Sequence, residues 1–171
     1  MGLFDRLFGG KKPSAPASIA VSAEKGAVYA PVAGKVEPME SLPDPVFSSG
    51  AMGPCLGVWP TDGNVISPVS GTVTAAMPHA FGLLGDDGVE VLIHVGVDTV
   101  EMKGDGFTVH VKKDAHVAAG DPLLTFDRHK VATAGHPDVV MTIITNADDL
   151  ASVEVVGSGD VAVGSKLFQT A

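Results

Sequence analysis

One histidine lies in the middle of a regular alternation. In GVEVLIHVGVDTV, residues 88–100, Val89, Val91, Ile93, Val95 and Val97 alternate with Glu90, Leu92, His94, Gly96 and Asp98. Side chains of a β-strand point in turn to its two faces, so this spacing puts His94 on one face with Glu90 and Asp98. The opposite face is then wholly aliphatic and belongs to a core. A neutral imidazole is a nucleophile and a proton carrier near pH 7. Held on a rigid strand, with Gly96 leaving space beside it, it is open to another molecule. The same pattern equally describes a histidine that caps a half-buried sheet, and periodicity alone favours neither reading. His79 stands in the segment HAFGL. His110, His116, His129 and His136 lie among charged, Gly or Pro neighbours and read as solvent-exposed.

The elements that position these residues are short strands. The chain has 171 residues, of which 45% are hydrophobic and only 18% charged, with 21 Gly and 12 Pro. Gly and Pro interrupt helices, and their spread through a Val-rich sequence predicts many strands joined by tight turns. Two near-repeats carry the pattern: YAPVAGKV at 29–36 with ISPVSGTV at 66–73, and VAAGDPLLTF at 117–126 with VAVGSKLF at 161–168. Each reads as a strand–turn–strand unit used twice. The fold class expected is all-β, an antiparallel β-sandwich or barrel-sandwich hybrid with duplicated hairpins and very little helix. Helical turns are expected only around residues 128–134 and 148–151. Residues 1–22 read as a flexible tail and residues 23–171 as the domain. Within the tail, Leu3, Phe4, Leu7 and Phe8 share one helical face, so residues 1–10 are a candidate foot on anionic lipid, helped by Arg6, Lys11 and Lys12.

Charge and cysteine content narrow the function classes. The net charge is −9, which disfavours nucleic acid as a partner because phosphate binding needs a basic footprint, and favours basic proteins. Cys55 is the sole cysteine, so no intramolecular disulfide and no thiolate zinc cluster forms. With no long apolar run, a cytoplasmic setting is expected, peripheral at most to the inner face of a membrane.

The segment at 88–100 resembles the active-site signature of the glucose-family IIA component (EIIA) of the bacterial phosphoenolpyruvate-dependent sugar phosphotransferase system. Gly88, His94, Gly96, Thr99 and Val100 fill the fixed or nearly fixed places of that pattern, and EMKGDGF at 101–107, PVSGTV at 68–73 and LPDPVF at 42–47 extend it collinearly over residues 25–169. The resemblance implies a phosphocarrier. It implies that His94 accepts a phosphoryl group from phospho-HPr. It implies that His79 stabilises the phosphoryl group and supports onward transfer to the EIIB domain of a glucose- or N-acetylglucosamine-type permease. Phosphoryl transfer passes through a loose transition state, so alignment and charge dispersal are the protein's main tasks. The resemblance further implies a partner-docking patch of Val46, Phe47, Met52, Leu92 and Val100 with Asp44 and Asp98 at its rim. Regulated enzymes or transporters are further partners, and the carrier is expected to be a monomer. No cofactor is required; zinc is expected on His79 and His94 only where a partner supplies a carboxylate. One departure stands out. Enterobacterial relatives carry Thr and Asn two and one residues before the second histidine, where this chain has Met77 and Pro78. Methionine cannot orient an imidazole by hydrogen bonding.

Other readings compete. APVAGKV and SPVSGTV also fit the hairpins of biotinyl or lipoyl carriers, with Lys103 after Met102 as the attachment candidate. His94 and Asp98 have the HxxxD spacing of a zinc peptidase with a duplicated β fold, but no HxH motif accompanies them. A non-catalytic regulatory β module is the third.

Overall fold

A computed structural model describes residues 15–171. The amphipathic segment at residues 1–10 lies outside the described residues. In chain order the strands are β1 (Ala27–Tyr29), β2 (Gly34–Pro38), β3 (Cys55–Pro60), β4 (Asn64–Ile66), β5 (Gly71–Met77), β6 (Ala80–Gly85) and β7 (Glu90–Val95). They continue with β8 (Phe107–Val109), β9 (His116–Val117), β10 (Pro122–Phe126), β11 (Val140–Ile144), β12 (Val153–Val155), β13 (Asp160–Val161) and β14 (Lys166–Thr170). Helix is confined, among the described residues, to α1 (Pro45–Ser48), α2 (Arg128–Thr133) and three 3-10 turns. α2 and the turn Ala147–Asp149 fall where helix was expected. The expected all-β sandwich is what forms. Pairing is antiparallel throughout.

Eight strands make one sheet in the order β13-β2-β3-β11-β7-β6-β5-β9, and two three-stranded sheets, β1-β14-β12 and β4-β10-β8, pack with it. The main core draws Val28, Val36, Val65, Val73, Phe81, Val91, Ile93, Val95, Leu124 and Phe168 from all three sheets. Removing each such side chain from water contributes roughly 1.5–3 kcal/mol, which is how so short a set of strands holds together. Thr142 sits opposite Ile93 in this core, and its hydroxyl has no hydrogen-bond partner.

The near-repeats are real, and they pair with each other. The Tyr29 amide donates to the Pro68 carbonyl at 3.0 Å, and the Ile66 amide, in the matching place of the second copy, donates to Pro31 at 2.9 Å. Likewise Ala30 donates to Ser165 and Ser67 to Asp121. Sheet order shows the same pseudo-twofold, with β7 and β11 at its centre and β13-β2-β3 mirrored by β9-β5-β6. Each repeat turns a corner from a small sheet into the large one, β1 into β2 and β4 into β5, so the two strands of a repeat do not form a hairpin with each other.

The halves differ where it matters. β5 and β6 close in the two-residue turn Pro78–His79, whereas residues 39–54 separate β2 from β3 and carry a 3-10 turn and α1. That insertion roofs a second apolar cluster of Leu42, Phe47, Cys55, Val139, Met141 and Ile143 on the outer face of the large sheet. Residues 15–22 also differ from a free linker: Ile19 donates its amide to Gly120 at 3.0 Å, Ser18 bonds Asp121, and the Tyr29 hydroxyl donates to the Ser22 carbonyl.

Candidate functional site

His94 is on β7, the inner strand at the pseudo-twofold, and is paired in register with Ala80 of β6 and Met141 of β11. Strand ladders on both sides fix its backbone. The aliphatic face behaves as the alternation predicts, with Val89, Val91, Ile93 and Val95 all at 2% exposure or less. The alternation stops there. β7 ends at Val95, Gly96 and Asp98 adopt left-handed backbone, and Asp98 therefore does not share the strand face of His94. Val97 leaves the main core and packs on the second cluster.

This turn orients the imidazole. The Nδ1–H of His94 donates to the Gly96 carbonyl at 2.8 Å. A carbonyl only accepts, so the proton of the neutral ring is on Nδ1 and Nε2 keeps its lone pair. Gly96 is not a gap: a Cβ there would lie 2.4 Å from Thr99 Cγ2 and 2.9 Å from the Pro137 carbonyl. Thr99 is buried and its hydroxyl donates to the Val95 carbonyl, and the Gly96 amide donates to Val139 at 2.8 Å. Burial holds His94 below the ordinary imidazole value of 6.5; the bond to Gly96 and the Asp44 and Asp98 carboxylates pull upward without overcoming it. The ring is neutral at pH 7.

His79 meets it edge-on. The two ring centroids are 5.4 Å apart at an interplanar angle of 75°, so the fold brings the two histidines together. The His79 carbonyl accepts from the Val95 amide at 2.8 Å, which ties the β5–β6 turn to the end of β7. Burial lowers the pKa of His79 as well.

The 39–54 insertion supplies the opposite wall. Asp44 caps α1, accepting from the Val46 amide at 2.9 Å, and Pro45 occupies the first turn, a place that suits its missing N–H. The Asp-Pro dipeptide was the available signal for this helix. Phe47 is buried, with its ring centroid 5.1 Å from that of His94. It is a floor under the imidazole and not part of an exposed patch. Of the residues expected to form a docking patch, Val46, Met52 and Val100 are exposed and Leu92 is half-buried; of the two rim carboxylates, Asp98 is exposed and Asp44 half-buried. Met77 adds an exposed apolar side chain beside His79.

Other sequence candidates are placed elsewhere. His116 is exposed and paired with Asp86, and His129 is exposed. His110 and His136 are only half-buried positions, not free surface: His110 bonds Thr125 at 2.8 Å and His136 lies 3.9 Å from Glu101. Lys103 follows the 3-10 turn Thr99–Met102 in a left-handed conformation, unlike a carrier lysine at the tip of a hairpin. No third His, Cys, Asp or Glu joins His79 and His94 in a metal-holding group among the described residues.

Fold and site thus define a duplicated β-sandwich that presents a neutral imidazole, one nitrogen free, with a second imidazole against it. The family profile of the phosphoenolpyruvate-dependent sugar phosphotransferase system, EIIA 1, matches residues 26–150, and the chain belongs to this family. It is 37% identical over 170 residues to a glucose-specific EIIA component of Halalkalibacterium halodurans, covering 98% of this chain and 97% of that protein. A glucose-specific EIIA component of Staphylococcus aureus is 40% identical over 140 residues, 81% of this chain and 84% of that one. A glucose-specific EIICBA component of Streptococcus pneumoniae is 43% identical over 137 residues, or 79% of this chain; the match spans only 19% of that longer protein. Among solved structures, the glucose permease IIA from Mycoplasma capricolum superposes with a TM-score of 0.77 at 31% identity, over 88% of this chain and 98% of that one.

Proposed function

We propose that the chain is a phosphocarrier that receives a phosphoryl group on His94 Nε2 from phospho-HPr and hands it to the EIIB domain of a sugar permease. The observation that carries this is the tautomer set by Gly96: Nδ1 is committed to the carbonyl, so a lone pair is fixed on Nε2. In the first step the P–N bond of the donor breaks as the Nε2–P bond forms. In the second, that bond breaks as the EIIB nucleophile takes the phosphoryl group. His79 lies near enough for its ring N–H to donate to a phosphoryl oxygen, which supports the charge that develops in transfer. Relatives in which EIIA is joined to EIIB and EIIC in one chain, such as the S. pneumoniae protein, support EIIB as the acceptor.

Val46, Met52, Leu92, Val100 and the exposed edge of Met77 form the apolar surface on which both partners dock, with Asp44 and Asp98 steering basic residues toward it. A carrier that shows one surface to two partners in turn works as a cytoplasmic monomer. Residues 1–10 give it a peripheral hold on anionic lipid. Other enzymes or transporters that sense the phosphorylation state bind the same surface. Zinc, where a partner brings a carboxylate, is held by His79 and by the free nitrogen of His94.

The test is labelling with phosphoenolpyruvate, enzyme I and HPr, followed by mapping of the acid-labile phosphate. His94→Gln abolishes labelling. His79→Gln is labelled but fails to pass the group to EIIB. Equal labelling of wild type and His94→Gln refutes the assignment.

A further inference from the structure

His79 is half-buried in the two-residue turn between β5 and β6, and among the described residues nothing hydrogen bonds to its ring. Its backbone is tied to β7 through the Val95 amide, and its ring meets that of His94 edge-on. What stands next to it is Pro78. The pyrrolidine ring faces Gly104 and takes the space a side chain there would need: a Cβ at Gly104 would be 3.3 Å from Pro78 Cγ and 3.6 Å from its Cβ. Gly104 itself has φ +83° and follows Lys103, also left-handed. This corner is firm. The Lys103 amide donates to Val100, Asp105 to Met102 and Phe107 to Gly104, at 3.0–3.2 Å, and Met102 packs on the main core. The corner also continues from β7 through the Gly96–Thr99 turn that orients His94.

We infer that Pro78 is a positioning residue for His79, its ring wedged against the Gly104 corner so that both histidines are indexed to the same stretch of backbone. Proline fixes its own φ near −65°, which narrows the conformations open to a two-residue turn. The wedge then limits how far that turn can rock. Met77, two residues before the histidine, offers no hydroxyl to orient it. A rigid hairpin tip fixes the Cα–Cβ direction of His79, and the edge-on contact with His94 limits where the ring can then turn. The inference rests on the reading of His79 as the residue that supports onward transfer.

The experiment uses the full chain, with Pro78→Ala and Pro78→Gly on one side of the contact and Gly104→Ala on the other. Two quantities are read: the ring-to-ring NOE between His79 and His94, and the ratio of the rate of transfer to EIIB to the rate of labelling by phospho-HPr. Pro78→Ala is expected to weaken the NOE and lower the ratio about tenfold, and Pro78→Gly to lower it further, because small misplacements of a reacting group are costly. Gly104→Ala, which pushes the corner into the ring, lowers it too. Pro38→Ala, at the end of β2, is the stability control. An unchanged NOE or ratio in folded Pro78→Ala overturns the inference, and so does an equal fall of the ratio in Pro38→Ala. His79→Gln separates the two claims. Normal transfer by that variant removes the role of His79 itself, whereas blocked transfer beside an undisturbed Pro78→Ala removes only Pro78.

Discussion

At the scale of single residues, the site is an imidazole whose two nitrogens have been given different fates. Burial makes protonation of His94 unfavourable in the folded chain, and the same holds for His79. The unfolded chain therefore takes up these protons first. The contribution of these two rings to stability is flat above about pH 6.5, falls as pH drops from there toward the lowered folded values, and levels off below them. Melting temperatures between pH 7.5 and 5.0 are expected to show this loss, and His94→Gln to show less of it; an identical pH dependence in that variant refutes the point. Labelling by phospho-HPr follows the same direction, since a protonated ring has no free nitrogen. Gly96 is the second sensitive residue. With φ +78° and no room for a Cβ, Gly96→Ala is expected to cost roughly 2 kcal/mol or more in urea unfolding, and to slow labelling by moving the carbonyl that sets the tautomer. Of all this, the alternation of residues 88–98 made only the strand and the imidazole legible. The tautomer depends on a left-handed turn after Val95, and a period of two says nothing about where a strand stops.

At the scale of elements, the central pair β7–β11 carries both the His94 imidazole and a defect. Thr142 faces Ile93 across that pair in a wholly apolar setting with its hydroxyl unpartnered. Thr142→Val replaces the hydroxyl by a methyl of the same shape, so a gain of about 1 kcal/mol is expected from urea unfolding, with labelling unchanged. A loss of stability there means that the hydroxyl finds water. The duplicated strand–turn–strand units were legible because Pro and Gly recur at matching offsets. That each unit turns a corner between sheets was not, because local pattern specifies a strand and its turn but not the strand's partner. The insertion at 39–54 was equally opaque. α1 is a single turn, too short for any periodicity, and the burial of Phe47 is decided by what lies across from it on β7 and β11.

At the scale of the whole molecule, the second apolar cluster lies beside the site on the outer face of the large sheet, and Cys55 belongs to it. Burial, and after it the charge of Asp44, pushes the thiol up to about 12. The thiolate is the reactive form, so an aromatic disulfide reagent is expected to label native protein at least about a thousandfold more slowly than the unfolded chain; fast labelling in native buffer contradicts the buried cluster. The acidic surface and the β class were both legible from composition, because each is a sum over many residues. The division between halves was not. His79 and His94 both belong to one duplicated half, within residues 64–126, while the other half contributes Asp44, Val46, Phe47 and Met52 through its insertion. Inheritance can act on these two parts separately. Rewriting residues 39–54 alters the wall around His94, the Phe47 floor included, and leaves in place the strand ladders on which both imidazoles stand. The internal twofold is in this way the seam between the part that holds the imidazoles and the part that shapes the surface around them.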